Sequence, residues 1–249
     1  MSGASSHDQP GTFLPWDTDF FGFRVGRANA TTLTRTSLDE VLQWCRAERI
    51  RCLYFAADRE APETLALAAT GGFQFVDVRL DLSLSLGNRP ALPAAGPSIR
   101  PAQPDDIPPL AALARHSHRD SRFFKDPGFP SSQAEELYAE WIRRDYRQHT
   151  VLTAGGGLPA APSGYVTCQV SGGQRGRIGL IAVAPAQQGR GLGRALVNAA
   201  LQWFHSAKCT EVRVATQASN VAAQRLYQAA GFRTAESSVW FHRWFPSSV

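Results

Sequence analysis

Apolar residues change their spacing repeatedly along this chain, and each change predicts an element. Between residues 133 and 147, Leu137, Tyr138, Trp141 and Ile142 recur at helical intervals, which gives a helix there one apolar face. Leu196, Ala200, Leu201 and Phe204 do the same over 193–207. Shorter runs rich in β-branched residues read as strands: TVLTAG from 150, GYVTCQV from 164, RIGLIAVA from 177 and EVRVAT from 211. SIRPAQ, from Ser98, predicts a short strand. DDIPPLAALARHS, which overlaps the following turn, predicts a helix capped by Asp105 or Asp106 with prolines in its first turn. NVAAQRLYQAAG (220–231) predicts a helix opened by Asn220, and SSVWFHRWF (237–245) a last strand. A strand of that kind at an exposed edge pairs with a second copy, which makes a homodimer one expectation; pairing inside the chain is the other.

The pattern lapses over 85–106, where prolines crowd a stretch without apolar periodicity. This predicts a smaller N-terminal α/β domain over 1–85, a linker over 86–97 and a second domain over 98–249. The two parts share an echo. CLYFAADREAPETLALAATGGF (52–73) aligns without a gap to EVRVATQASNVAAQRLYQAAGF (211–232). Each reads as strand, loop, helix and Gly-Phe, as a distant internal duplication would. Ala61 and Ala68 stand where the later copy has Asn220 and Tyr227. The earlier copy is therefore expected to serve as scaffold or acceptor wall.

Composition narrows the function. Hydrophobic residues make up 43% and charged residues 19%, which suits a packed globular chain. No apolar run reaches the roughly 18 residues of a membrane helix. The opening MSGASSHDQPGTFLPW lacks a basic start followed by an apolar core, so no membrane association is expected and the cytoplasm is the expected location. The four cysteines are scattered without a C-x-x-C pair, which predicts reduced, buried thiols and no metal. The net charge of +5 is carried mostly by arginine and suits a polyanionic small molecule. No basic block with interleaved aromatics points to nucleic acid.

The stretch AVAPAQQGRGLGRALV (182–197) supplies the chemistry. A strand ends in a glycine-paved turn that opens a helix, with Arg190 and Arg194 alongside. The first amides of a helix lack internal acceptors and sit at the positive end of its dipole, so this is an anion site. The absence of Gly-Lys-Ser/Thr excludes the NTPase phosphate loop, and the spacing is not that of a dinucleotide fold. Gln188-Gly189-Arg190-Gly191-Leu192-Gly193 fits Q/R-x-x-G-x-G/A. With Val183–Pro185 before it and Asn220, Leu226-Tyr227 and Gly231-Phe232 after it, the segment 98–249 resembles the GNAT superfamily of N-acetyltransferases.

The resemblance implies an α/β (α+β) fold whose fourth and fifth strands, about 177–183 and 211–216, splay around acetyl-CoA. It implies that the backbone of Ile181, Ala182 and Val183 pairs with the pantetheine arm. Gln188, Gly189, Arg190, Gly191, Leu192, Gly193 and Arg194 would hold the pyrophosphate, and Asn220 would touch the cofactor while capping its helix. Tyr227 would protonate the departing thiolate, which its ordinary pKa near 10 permits. No base stands out: His116, His118, Glu136 and Glu140 are candidates, and a water relay is an equal alternative.

Two aromatic stretches bear on the acceptor. PWDTDFFGFRVGRA (15–28) contains Trp16, Phe20 and Phe21, and SRFFKDPGF (121–129) contains Arg122, Phe123 and Lys125. With the C-terminal VWFHRW they resemble the nucleotide amino-sugar branch of the family. This implies transfer to the C4 amine of a dTDP-4-amino-4,6-dideoxyhexose, with the six residues as substrate contacts. Another small amine, an aminoglycoside, a protein N-terminus or a non-catalytic acyl-CoA-binding role are the alternatives.

Overall fold

The computed structural model describes residues 9–87, 99–157, 160–172 and 174–246. The fold is mixed α/β, with ten strands and eight α-helices among the described residues. In chain order they are β1 (Gly11–Phe13), α1 (Pro15–Phe21), β2 (Val25–Ala28), α2 (Arg35–Ala47), β3 (Cys52–Asp58), α3 (Pro62–Thr70) and β4 (Gln74–Ser85). There follow β5 (Ile99–Pro101), α4 (Ile107–His116), α5 (Arg122–Lys125), α6 (Ser131–Gln148), β6 (Thr150–Gly157), β7 (Ala160–Ser171) and β8 (Arg175–Val183). The last are α7 (Leu192–Ser206), β9 (Glu211–Gln217), α8 (Val221–Ala229) and β10 (Arg233–Trp244).

The chain forms two compact units that interleave in sequence: 1–79 with 125–128 and 237–249, and 80–124 with 129–236. This division differs from the expected 1–85 and 98–249, and long-range pairing explains why. In the first unit β2 runs parallel to β3, and β10 runs antiparallel to it from Ser238↔Asp58 to Trp244↔Cys52. The aromatic terminal strand is thus paired inside the chain. The segment 125–128 joins the same unit through Asp126, whose carboxylate is 2.6 Å from Nδ1 of the fully buried His242 and accepts from Trp244 Nε1 at 2.9 Å. Burial alone would raise the Asp126 carboxyl, but these bonds and the Gly128 amide hold it below its usual range. On the opposite face, Val41, Cys45, Leu53, Phe55, Phe73 and Phe241 form an apolar core. The proline-rich 88–97 of the expected linker, and Ser98 after it, lie outside the described residues.

In the second unit the strand order runs β4-β9-β8-β7-β6-β5. One face of this sheet packs on α7 and α8 through Leu82, Val166, Ile178, Leu196, Ala200, Phe204 and Val214. The other packs on α4 and α6 through Leu110, Tyr138, Ile142, Val151 and Tyr165. An added Cβ at Gly176 would lie 2.6 Å from the Phe204 ring, so glycine lets α7 approach the sheet. Asp106 precedes α4 without capping it. Its carboxylate binds both Arg100 nitrogens at 2.6 and 2.9 Å and the Gln103 amide at 2.7 Å. The guanidinium outcompetes the helix amides because its bidentate bond is charge-assisted.

Strand β8 changes character halfway. It pairs in parallel with β9 only from Arg175↔Glu211 to Ile178↔Val214. A register shift against β7 falls between Val166 and Cys168. The extra residue lets Ile178, Ile181 and Val183 share the α7 face although the first two are three apart. Thr167 Oγ1 accepts from the Leu180 amide at 2.9 Å within this bulge. Beyond Ile178 the two strands diverge, which opens the gap expected between them.

Candidate active site

The divergence leaves a cavity of about 650 Å³ within the second unit. Its floor is the end of β8 at Ile181, Ala182 and Val183, which pairs with β7 but no longer with β9. The turn after β8 and the start of α7 form one wall, contributing Gln188, Gly189, Gly191, Leu192, Gly193 and Arg194. Asn220, Ala223 and Leu226 approach from α8 and its cap. Ten of the eleven residues read from the sequence as coenzyme contacts line this one space; Arg190 is exposed outside its lining.

Local chemistry explains the shape of the turn. Gly189 and Gly191 have φ of +74° and +81°, and nothing lies within 4 Å of a Cβ built on either. The backbone there is both left-handed and open, which a side chain would strain and obstruct. Gly191 is the N-cap of α7, and no side chain caps that helix. The amides of its first turn therefore lack intrahelical acceptors and face this end of the cavity. Gln188 turns back, its Nε2 donating to Val183 O at 3.0 Å. Asn220 Oδ1 accepts from the Ala223 amide at 3.0 Å, so it does cap α8. The first-turn amides, Arg194 and the open glycines fit a diphosphate-bearing acyl carrier.

Tyr227 stands apart from the lining. Its side chain is only 3% exposed, packs edge-on to Phe232 at 5.8 Å and belongs to the core under α8. Burial raises its phenol above the usual range, so the hydroxyl stays protonated. The neighbouring Leu226, not Tyr227, faces the cavity.

A second wall comes from the end of α4 and the loop after it: Leu113, His116, Ser117, His118, Arg119 and Asp120. His116 and His118 were base candidates from sequence; Ser117, Arg119 and Asp120 carry no signal in the apolar pattern. His118 has φ +59°. Its Nε2 lies 3.0 Å from the Tyr165 hydroxyl, and its ring stacks on Tyr138 at 4.7 Å. Burial pushes its imidazole down to about 4, so it is neutral near pH 7. The other two base candidates are engaged elsewhere. Glu136 accepts from Arg115 and Arg143 at 2.8 and 2.7 Å, and Glu140 pairs with Arg147 at 2.8 Å. Burial opposes ionisation of Glu136, but the two arginines hold its carboxyl below the usual value.

The six expected substrate contacts do not line this cavity. Trp16 stacks on Phe20 at 5.3 Å, and Phe21 is buried in the first unit. Lys125 is 3.0 Å from the buried Asp77 carboxylate. Phe123 is buried against Phe129 and Trp141, with the Arg122 guanidinium 4.6 Å above its ring. Of these aromatics Phe21 and Phe123 serve as core, whereas Trp16 and Phe20 remain partly exposed. All four cysteines are buried. Among the described residues no cluster of metal-ligating side chains occurs and no helix is long and apolar enough to cross a membrane.

Residues 113–232 match the Acetyltransferase (GNAT) family. Over 236 residues the chain is 29% identical to the dTDP-fucosamine acetyltransferase of Escherichia coli, covering 92% of this chain and 96% of that one. It is also 29% identical over 149 residues to a spore coat polysaccharide biosynthesis protein of Bacillus subtilis, covering 59% of this chain and 50% of that protein. A GCN5-related N-acetyltransferase from Sphaerobacter thermophilus superposes with a TM-score of 0.64 at 16% identity, over 94% of this chain and 76% of that one. The chain carries a GNAT acetyltransferase domain and is an acyl-CoA-dependent N-acetyltransferase.

Proposed function

We propose that this enzyme moves acetyl from acetyl-CoA to the primary amine of a nucleotide-linked amino sugar of the dTDP-4-amino-4,6-dideoxyhexose type. The observation that carries the sugar class is the near full-length similarity to a relative named for dTDP-fucosamine acetylation. The partial similarity to a polysaccharide biosynthesis protein points the same way. The cavity supports the donor. The first-turn amides of α7, Arg194 and the bare glycines receive the diphosphate of acetyl-CoA, and the free edge of β8 receives its extended arm.

In this reading the amine attacks the thioester carbonyl directly. An amide of the Ile181–Val183 edge polarises that carbonyl. Tyr227, kept protonated by its surroundings and next to the cavity-lining Leu226, is the donor assigned to the departing sulfur, a role that requires its hydroxyl to reach the cavity from the core. We place the reaction in the cytoplasm.

A thiol-release assay tests the acceptor. Purified enzyme with acetyl-CoA is offered dTDP-4-amino-4,6-dideoxyhexoses of both C4 configurations, the 3-amino isomers, aminoglycosides and peptide N-termini, and products are identified by mass spectrometry. The 4-amino sugars are expected to release thiol at least tenfold faster than the other amines. Faster turnover of any other class would replace the sugar assignment.

A further inference from the structure

We propose that His118, oriented by Tyr165, is the catalytic residue that receives the proton of the attacking amine. The assignment rests on acetyl transfer at this cavity, but not on which amine is the acceptor.

Position comes first. His118 lines the wall of the cavity contributed by the loop after α4, within the same space as the β8 edge. The loop is held there by several independent bonds. Ser117 Oγ donates to Leu113 O at 2.8 Å, and the Ser121 amide donates to His118 O at 3.1 Å. Arg119 reaches Glu135 on α6 at 2.7 Å and lies over the Phe124 ring. One turn further along α6, Tyr138 stacks on the His118 ring. His118 itself takes the left-handed backbone, with φ +59°. That conformation is uncommon for a residue with a bulky side chain and persists where surrounding contacts impose it.

A single hydrogen bond then holds the ring by Nε2. Tyr165 is wholly buried on β7, and burial keeps its phenol protonated. Its oxygen is 3.0 Å from His118 Nε2. No other hydrogen bond engages the His118 ring among the described residues. The proposed role takes the tautomer in which Nε2–H donates to Tyr165 Oη, so that Nδ1 keeps its lone pair for the amine proton. The ring is neutral near pH 7 and accepts a proton without first losing one. Glu136 and Glu140, the carboxylates named alongside it, are tied into arginine pairs outside the lining.

The step balances as follows. The amine lone pair forms the C–N bond to the carbonyl carbon, and the C–S bond breaks with its electron pair going to sulfur. One N–H proton passes to His118 Nδ1, and sulfur receives a proton from the Tyr227 hydroxyl. The imidazolium then releases its proton to solvent and the phenolate takes one up. Both side chains return to their starting states.

The backbone dictates the choice of variants. His118→Asn keeps a residue type that tolerates positive φ, and His118→Gly vacates the imidazole space while relieving the backbone. Both are expected to bind acetyl-CoA by calorimetry within about twofold of the parent, and to lose about 10²-fold in kcat. Exogenous imidazole is expected to restore at least a tenth of the parent rate to His118→Gly and none to His118→Asn. Tyr165→Phe, which keeps the ring, is expected to lose about tenfold in kcat with KM unchanged. A readout independent of turnover is protection from diethyl pyrocarbonate. Acetyl-CoA should slow modification of His118, mapped by peptide mass, while leaving the exposed His205 unaffected. Parent-like kcat in His118→Asn, or loss without imidazole rescue in His118→Gly, overturns the role. So does unaltered His118 modification in the presence of acetyl-CoA. If the dTDP sugars fail as acceptors, the same comparison is made with whichever amine of the panel consumes acetyl-CoA fastest. A failed sugar assignment and a failed His118 role are thus read separately.

Discussion

The segments 52–73 and 211–232 are the same piece of architecture with different chemistry. Each is a seven-residue strand, a short loop and a nine-residue helix, β3 with α3 and β9 with α8. Each helix ends through a glycine at positive φ, Gly72 at +76° and Gly231 at +93°. Each is then closed by the same bond, from Phe73 N to Ala68 O and from Phe232 N to Tyr227 O, both 3.0 Å. The phenylalanine packs inward in both: against Phe55 in one, against Tyr227 in the other. The differences lie at three points. Asn220 caps α8 through its side chain, whereas Ala61 offers α3 none. Tyr227 brings a hydroxyl where Ala68 brings a methyl. Only the later segment follows a glycine turn that leads into a helix, and only there does the preceding strand, β8, part from its neighbour. The scaffold is therefore not what makes an acyl-transfer site. A few polar atoms and one diverging strand do.

That contrast is broken most directly at Tyr227. Tyr227→Phe removes the oxygen and keeps the buried ring, so packing on Phe232 is retained. A loss of about 10²-fold or more in kcat is expected, with acetyl-CoA affinity kept. Normal turnover would mean that the phenol, like Ala68, only fills the core. The glycine turn is the next largest difference. Gly191→Val forces a β-branched residue into φ +81°, a strain of about 1–2 kcal/mol. A fall of about tenfold or more in acetyl-CoA affinity by calorimetry is expected if, as proposed, the turn receives the diphosphate, since the same change places methyl groups there. Unchanged affinity would detach the turn from coenzyme binding.

The smallest effects compare the caps. Asn220→Ala is expected to cost about 1 kcal/mol, and Ala61→Asn to recover a similar amount in the first segment. Thermal unfolding without acyl-CoA should register these as shifts of roughly 2–4 °C in opposite directions. Equal responses at the two sites would show that the caps are not what separates the copies.

Much of this contrast was legible before any coordinates. The left-handed glycines, the Asn220 cap and the apolar faces of α6 and α7 all depend on residues within one or two turns of each other, so spacing reveals them. The ten expected coenzyme contacts that line the cavity were likewise close in sequence or held in a motif. Other parts were not legible. Lys125 carries a charge that invited a phosphate role, but its partner Asp77 lies 48 positions away. Phe123 and Phe21 have a composition shared by binding sites and cores, and only burial separates the two.

By itself the sequence determined the local elements, the glycine-paved turn and the cap of α8, because helix periodicity, capping and glycine conformation are short-range. The tertiary structure decided what depends on distant partners. It assigned β10 to β3, drew Asp126 to His242, and turned Asp106 from a helix cap into the partner of Arg100. It also ended the β8–β9 ladder at Ile178, and it set His118 between Tyr138 and Tyr165 on the wall of the resulting cavity. Such contacts form only when separate segments compete for the same buried donors, acceptors and space, and no local pattern records the outcome of that competition.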